Sequence, residues 1–238
     1  MHQPTDIIRD NLGQEFCYIP EGRFLGGIEG NEELQTGAPT YVGRYPVTVA
    51  LFMAFLSDTG YDYPQTELNI MQDVSPMPEC PACNISWLDA KEFCRWLRKK
   101  TGDYYSLPQN DEWEKAARGE DGRHYPWGNE EGLEHHAHFN SMHIGTTSQV
   151  GQKPQGVSPY GCHDMAGNVW EWCLDSFTDE RDPHILKGGS WQNEAEYLDC
   201  GVRTYSYPPE KRRPYMGFRL LYLTKDMLDK YKSAYFNS

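Results

Sequence analysis

Apolar residues recur with a helical period in only a few short stretches of this chain. The first is VTVALFMAFLSD at 47–58. There Thr48 is placed to cap a helix, and Leu51, Phe52 and Phe55 fall on one face at the spacing i, i+1 and i+4. The stretch predicts an amphipathic helix.

A longer pattern, SWLDAKEFCRWLRKKTG at 86–102, predicts a second helix. Ser86 and Asp89 have the spacing of a capping box, and Gly102 follows a basic last turn where it can end the helix. The apolar face at i, i+3, i+4 and i+7 consists of Ala90, Phe93, Cys94 and Leu97.

A third, short helix is predicted from DEWEKAAR, with Asn110 as N-cap and Gly119 as its end. Beyond residue 119 no long helical period is visible, and the best strand candidates are HILKGGSW at 184–191 and MGFRLLYL at 216–223. The final residues, LTKDMLDKYKSAYFNS, carry a weak helical pattern that fits either a docked helix or a frayed tail.

Composition narrows the classes of protein and partner. The chain has 238 residues with 22 Gly, 16 Pro and 16 Tyr, which favours turn-rich structure held by aromatic packing. A net charge of −13 leaves no basic surface for nucleic acid. No stretch approaches the roughly 20 apolar residues that span a bilayer, and the start lacks an apolar signal-peptide core. We therefore expect a cytoplasmic protein without nucleic-acid or membrane partners.

Cysteine and histidine patterns give weak metal signals. The seven cysteines are an odd, scattered set that fits a reducing compartment better than a disulfide framework. Cys80 and Cys83 have the spacing of half a zinc site, but no second half follows. The group His135, His136 and His138 could bind a metal, although a solvated acidic loop is the favoured interpretation.

Eight motifs, in order between residues 16 and 223, resemble the formylglycine-generating enzyme (sulfatase-modifying factor) family. They are FCYIPEGRFLGG, YPVTVALFMAFL, NISWLDAKEFCRWL, LPQNDEWEKAARG, YPWGN, SPYGCHDMAGNVWEWCLDSF, KGGSW and GFRL. The resemblance implies an α+β, C-type lectin-like fold with two main helices, small antiparallel sheets and a high loop content. It also implies an N-terminal extension at 1–15, one domain at 16–223, and a tail or short helix at 224–238.

The resemblance further implies a structural calcium ion in the loop DMAGNVWE. Its ligands would be the side chains of Asp164 and Glu171 with the backbone carbonyls of Gly167 and Val169. Calcium takes six to eight hard oxygen ligands, which two carboxylates and loop carbonyls can partly supply. The alternative is that both carboxylates only hydrogen-bond the loop while the tryptophans fill the core.

The family's oxidases hold copper(I) through two cysteines just after GGS, and soft thiolates suit that ion. Here those positions are occupied by Asn193 and Leu198, and Cys200 alone is half a site. The resemblance therefore implies that copper is not bound. The residues of the family's pocket that remain are Trp170, Ser190, Arg203 and Arg219.

A chain with the family's motifs but without its copper-binding cysteines favours a function in recognition. The segment 192–215 is rich in tyrosine and arginine, which supply contact area and directed hydrogen bonds. We expect a protein, peptide or small-molecule ligand to bind at Trp170, Ser190, Asn193, Tyr205, Tyr207 and Arg212. Two alternatives stay open: an ordinary proline-rich surface loop, and an oxidoreductase of the family (protein cysteine oxidation or related metal-dependent oxygen chemistry) with a non-standard active site.

Overall fold

The elements below come from a computed structural model, which describes residues 6–130, 133–140, 145–176 and 183–236. The helices are α1 (Val49–Thr59), α2 (Gln65–Val74), α3 (Trp87–Thr101), α4 (Asn110–Arg118), α5 (Leu133–His136) and α6 (Lys225–Phe236). The strands are β1 (Ile7–Arg9), β2 (Glu15–Ile19), β3 (Gly22–Gly26), β4 (Glu32–Thr36), β5 (Thr40–Gly43), β6 (Tyr104–Ser106), β7 (Trp170–Ser176), β8 (His184–Lys187), β9 (Arg203–Tyr207), β10 (Met216–Gly217) and β11 (Leu221–Leu223).

The strands form three small sheets. The largest is antiparallel, in the order β1-β2-β5-β11-β6, and a hairpin pairs β3 with β4. The third sheet has the order β10-β7-β8-β9, and its β10–β7 pair is parallel. This third sheet carries the candidate site, because β7, β8 and β9 lie side by side and each contributes to one pocket.

The two main predicted helices are confirmed with their caps. Thr48 accepts a hydrogen bond from the Leu51 N–H at the start of α1, and Ser86 and Asp89 complete the capping box of α3. Gly102 ends α3 with φ +83°, a conformation that glycine adopts without steric cost. The helices pack through aromatic rings, with the Phe52 and Phe93 centroids 6.1 Å apart. Local sequence signals therefore located both helices correctly.

Helix α2 is an addition to the predicted set. Its sequence, QTELNIMQDV, has little apolar character, and Met71 is its buried residue. A polar helix with so narrow an apolar face has no strong hydrophobic periodicity. The hydrophobic pattern of the sequence therefore did not predict it.

The strand candidate MGFRLLYL is divided between two strands. Met216–Gly217 pairs with β7, whereas Leu221–Leu223 pairs with β5 and β6 in another sheet. The chain changes sheets at 218–220, where the Phe218 and Leu220 carbonyls accept from the N–H groups of Val47 and Gly43. The candidate HILKGGSW is strand only as far as Lys187, because Gly188 and Gly189 adopt φ +94° and +71°.

The ends of the domain also differ in detail from the expectation. Strand β1 lies within the predicted N-terminal extension and pairs with β2, so the sheet begins before residue 16. At the other end, 225–236 is helical with a kink at Tyr231. Asn110 is the first residue of α4, and Gln109 is its N-cap. None of the helices in the described ranges combines the length and apolar character needed to cross a bilayer.

Candidate functional site

A pocket of about 200 Å³ opens between the β7-β8-β9 face and the segment that follows GGSW. Aromatic rings, amides, hydroxyls and one aliphatic side chain line it, and none of the described lining residues is charged. The lining residues are Trp170, Leu186, Gln192, Asn193, Tyr197, Thr204, Tyr207 and Tyr215. Such a surface suits contact with a neutral or aromatic group through packing and directed hydrogen bonds.

Asn193 is held in the pocket by hydrogen bonds to its side chain and its backbone. Its Oδ1 atom accepts from the Ser190 hydroxyl at 2.6 Å and from the Trp170 indole N–H at 2.8 Å. Its backbone N–H bonds the Ser190 carbonyl at 3.0 Å. The two side-chain bonds use both lone pairs of the amide oxygen. Within the described residues the Nδ2 group has no partner, so it is the donor that Asn193 can offer to a ligand.

Two tyrosines form the opposite wall. The hydroxyl oxygens of Tyr207 and Tyr215 are 3.0 Å apart and share a hydrogen bond. Burial, and then this hydrogen bond, raise the pKa of Tyr215 to about 12, so the hydroxyl stays protonated at neutral pH. Tyr197 lies at the mouth with 40% of its surface exposed, and its ring meets Trp170 edge to face at 6.3 Å. The wall therefore presents neutral hydroxyls and ring surfaces.

The structure brings together some of the predicted binding residues. Trp170, Asn193 and Tyr207 line the pocket, and Ser190 lies fully buried behind Asn193. Leu186 on β8 also lines it, and it lies outside the predicted segment 192–215. Only the strand order of the sheet indicates that contribution. Tyr205 belongs to β9, but its side chain lies outside the described residues.

Arg212 does not line the pocket, contrary to the prediction. Its guanidinium binds the two Asp89 oxygens at 2.7 and 2.6 Å, at the start of α3. It also lies over the ring of Tyr63, 5.2 Å from the centroid. Burial alone would lower the pKa of Arg212, but Asp89 outweighs it and raises the pKa. Arg212 thus anchors the 208–215 segment to α3.

The two arginines of the expected family pocket, Arg203 and Arg219, also lie outside this pocket. Arg219 is fully buried against Glu171, and Arg203 is exposed on β9 outside the pocket lining. Sequence position placed both near the site, but the direction of each side chain depends on partners from other elements.

The positions of the family's copper ligands have separate environments here. Asn193 faces the pocket, whereas Leu198 is fully buried with Ala137, Phe139 and Ala166. Cys200 is also fully buried, and burial raises the pKa of its thiol to about 12.

In the loop DMAGNVWE, Glu171 is bound by side chains from other elements. Arg219 binds Oε2 of Glu171 through Nε at 2.5 Å and Oε1 through a terminal nitrogen at 2.7 Å. The Trp113 indole N–H adds a bond of 2.6 Å to Oε2. Both oxygens are engaged, and Arg219 supplies the positive charge that an ion would supply. Glu171 therefore does not fit the predicted ligand set, and calcium at this loop stays a prediction.

The other members of that set have structural contacts of their own. Asp164 accepts the Gly151 N–H at 2.6 Å, and burial raises its pKa to about 6. Gly167 has φ +82°, and a Cβ there would lie 2.4 Å from the His138 carbonyl oxygen, so only glycine fits. Val169 packs into the main core. These contacts contribute to the shape of the loop.

The weaker metal candidates are dispersed. His135 is exposed, His136 stacks on Trp127 at 4.7 Å, and His138 is buried with Nε2 2.8 Å from the Thr146 carbonyl oxygen. Cys83 accepts from the Ser75 hydroxyl at 3.3 Å. Across the described ranges, no three or more His, Cys, Asp or Glu side chains are grouped to hold a metal.

Comparison with known proteins decides the family. The family described as "Sulfatase-modifying factor enzyme 1-like domain" matches residues 6–223. The chain belongs to this family. It is 35% identical over 133 residues to "Inactive C-alpha-formylglycine-generating enzyme 2" of Bos taurus, which covers 50% of this chain and 40% of that relative. It is 32% identical over 178 residues to the "Formylglycine-generating enzyme" of Streptomyces coelicolor, covering 62% and 54% respectively.

A solved structure confirms the fold of this sulfatase-modifying-factor-like chain. "Structure of PvdO from Pseudomonas aeruginosa" superposes with a TM-score of 0.76, covering 93% of this chain and 99% of that one at 23% identity. The chain spans only about half or less of the two curated relatives given above. Because one is named as inactive and the other as an enzyme, family membership leaves activity to be argued from the site.

Proposed function

We propose that this family member is a non-oxidase recognition protein that binds a protein, peptide or small-molecule ligand in the pocket around Asn193. The observation that carries the proposal is the pair of bonds from Ser190 and Trp170 to the Asn193 amide oxygen. At the position where the family's oxidases have a thiolate, this chain holds an amide in a fixed orientation. A fixed amide can recognise a ligand by hydrogen bonding, but it is not a ligand for copper(I).

The pocket composition supports recognition. Trp170, Tyr197, Tyr207 and Tyr215 provide rigid aromatic area at a low entropy cost, a composition enriched at binding hot spots. The amides of Gln192 and Asn193 can add directional bonds. A neutral lining of this kind selects by shape and hydrogen bonding, so we infer a ligand with a ring or apolar group and polar acceptors.

The proposal also includes a cellular location and a class of partner. The seven buried cysteines are all free, which supports a reducing, cytoplasmic location. The net charge of −13 supports partners other than nucleic acid.

The test is a thermal-shift screen of peptides, sugars and small aromatic compounds, followed by titration of each compound that stabilises the protein. The pocket variant is Gln192→Ala with Tyr197→Ala, because both side chains are exposed at the mouth and their loss should not unfold the domain. The control is Glu210→Ala, an exposed residue of the neighbouring segment outside the lining. Binding retained by the control and lost in the pocket variant supports the proposal.

Equal binding by both variants would place the recognition surface elsewhere. The oxidoreductase alternative is tested separately by anaerobic copper(I) titration of the reduced protein against a competing chelator. We expect no tight site. Tight binding that Cys200→Ser abolishes would overturn the non-oxidase part of the proposal.

A further inference from the structure

The Trp170 indole determines which way round the Asn193 amide lies. An indole nitrogen can only donate, so the Asn193 atom 2.8 Å from it is the amide oxygen. The Ser190 hydroxyl accepts the Gln192 N–H at 3.3 Å and donates its own hydrogen to the same amide oxygen at 2.6 Å. Because the oxygen is committed to these two donors, Nδ2 is the end of the amide that remains for the pocket, and it can only donate.

The paired tyrosine hydroxyls add a second donor to the same pocket. Tyr207 and Tyr215 carry two hydroxyl hydrogens, and the bond between their oxygens, which are 3.0 Å apart, uses one of them. Whichever hydroxyl donates in that bond, the other keeps its hydrogen, and both residues line the pocket. The lining therefore offers donors from Asn193 and from the tyrosine pair, which favours a ligand group that accepts hydrogen bonds.

The charges around the pocket indicate that this acceptor is neutral. No described lining residue is a cation that could pair with a carboxylate or phosphate. Glu194 and Glu196 are exposed on the same segment as Asn193 and Tyr197, so an anion would be desolvated close to like charges. A cation would lack a carboxylate among the described lining residues and would face the Asn193 N–H groups. A neutral oxygen avoids both costs.

The size and walls of the pocket suit a single substituted ring. A cavity of about 150 Å³ can hold benzene. The volume here, about 200 Å³, therefore admits a six-membered ring with a short polar group. Trp170 and Tyr197, in edge-to-face contact with centroids 6.3 Å apart, supply aromatic surface for such a ring, and Leu186 adds an aliphatic contact.

From this geometry we propose that the pocket binds a neutral aromatic carboxamide, whose carbonyl oxygen accepts a hydrogen bond from Asn193 Nδ2. This inference rests on the proposed recognition function and names the ligand class of the same site. The ring packs against Trp170 and Tyr197, and the tyrosine pair provides the second hydroxyl donor. Asn193 sets the specificity, because its amide presents donors where a carboxylate would present acceptors.

The experiment compares three compounds of nearly the same shape, benzamide, benzoate and benzamidine. Benzamide has a neutral carbonyl, benzoate is an anion, and benzamidine is a cation without an acceptor oxygen. Binding to the full chain is followed by ¹H–¹⁵N NMR, with the Asn193 side-chain NH₂ signal assigned by triple-resonance experiments. Benzamide should shift that signal in a saturable manner. The other two compounds should bind at least about tenfold more weakly, because each would bury a charge without a partner.

Asn193→Asp supplies a matched change of specificity. The variant keeps an oxygen for Trp170 and Ser190 and replaces the NH₂ group with a charged acceptor. The order of affinities should therefore reverse, so that benzamidine binds more tightly than benzamide. The control is Asn31→Asp, which makes the same substitution at an exposed position outside the lining and should keep the wild-type order.

The wild-type titrations are decisive even if Asn193→Asp fails to fold. The proposed ligand class is overturned if benzoate or benzamidine binds as tightly as benzamide, or if bound benzamide leaves the Asn193 NH₂ signal unmoved. Absence of binding by all three compounds at millimolar concentration overturns it as well. Each of these outcomes leaves the recognition function standing, because that function fails only if a screened ligand still binds the variant Gln192→Ala with Tyr197→Ala.

Discussion

Arg219 and Glu171 form a fully buried ion pair in which the guanidinium binds both carboxylate oxygens, at 2.5 and 2.7 Å. Arg219 lies in the GFRL motif between β10 and β11, and Glu171 lies in β7. Arg219 also donates to the carbonyls of Gly43 and His163, each at 2.9 Å. One side chain therefore connects the two larger sheets and neutralises the carboxylate that the sequence assigned to calcium.

The ion pair leads to a first prediction, for Glu171→Gln. Removing the carboxylate charge leaves Arg219 buried without its counter-ion, so we expect a loss of about 3 to 5 kcal/mol in the free energy of unfolding. Urea denaturation measures this loss. Adding Arg219→Met should recover part of it, because the double variant removes the uncompensated charge.

The same pair separates the two interpretations of the loop. If Arg219 takes the place of an ion, a calcium chelator should leave the melting temperature of the wild type unchanged. A melting temperature that rises with calcium in the wild type, but not in Glu171→Gln, would instead support the calcium ligands predicted from the sequence.

A second prediction concerns Arg212 and Asp89. Arg212→Ala removes two charge-assisted bonds from a buried carboxylate, which still keeps bonds from Ser86 and from the Tyr61 hydroxyl. We expect a cost of about 2 to 3 kcal/mol. Lys211→Ala on the same segment should change stability by less than about 0.5 kcal/mol, as ordinary surface substitutions do. Equal effects of the two substitutions in urea denaturation would show that the anchor is unimportant.

A third prediction compares the cap and the core of α3. Ser86→Ala should cost about 1 kcal/mol, because the Asp89 N–H loses its acceptor. Leu97→Ala should cost about 2 to 5 kcal/mol, because Leu97 is fully buried in the main core. Chemical denaturation of both variants checks the order of the two effects. A smaller cost for Leu97→Ala than for Ser86→Ala would contradict the packing of this face.

A fourth prediction concerns pH. Burial raises the pKa of Glu112 to about 7, and the nearby Asp175 and Asp111 carboxylates add to the rise against the opposing Gln109 N–H bond. A raised acid pKa favours the protonated folded state, so this contribution to stability is complete below the ordinary pKa of 4.5 and is lost as the pH rises through about 7. Glu112→Gln should abolish this decrease in stability with rising pH.

The measurement is the melting temperature of the wild type and of Glu112→Gln between pH 4.5 and about 7. His163 acts in the opposite direction, since burial, followed by the nearby arginines, lowers its pKa to about 4. The contribution of His163 to stability is present above pH 6.5 and is lost as the pH falls through about 4. Because His163 is common to both proteins, the difference between them isolates Glu112. Parallel pH profiles would show that Glu112 does not titrate in this range.

The sequence alone determined the features that depend on neighbours along the chain. The caps of α1 and α3 follow from Thr48, Ser86 and Asp89, because a cap is a contact within one turn. The family motifs identified the fold, and the substitution of the copper positions by Asn193 and Leu198 is readable without coordinates. Local signals, together with motif order, were enough for the fold class.

Only the tertiary structure decided which groups the charged side chains meet. Arg212 binds a carboxylate 123 positions away, and Arg219 binds one 48 positions away. Neither partner can be read from spacing, because each is brought close by the packing of separate elements. Both arginines had therefore been assigned to the pocket, and Glu171 to calcium. A buried charge takes whichever counter-charge the fold places beside it, since leaving it unpaired costs several kcal/mol.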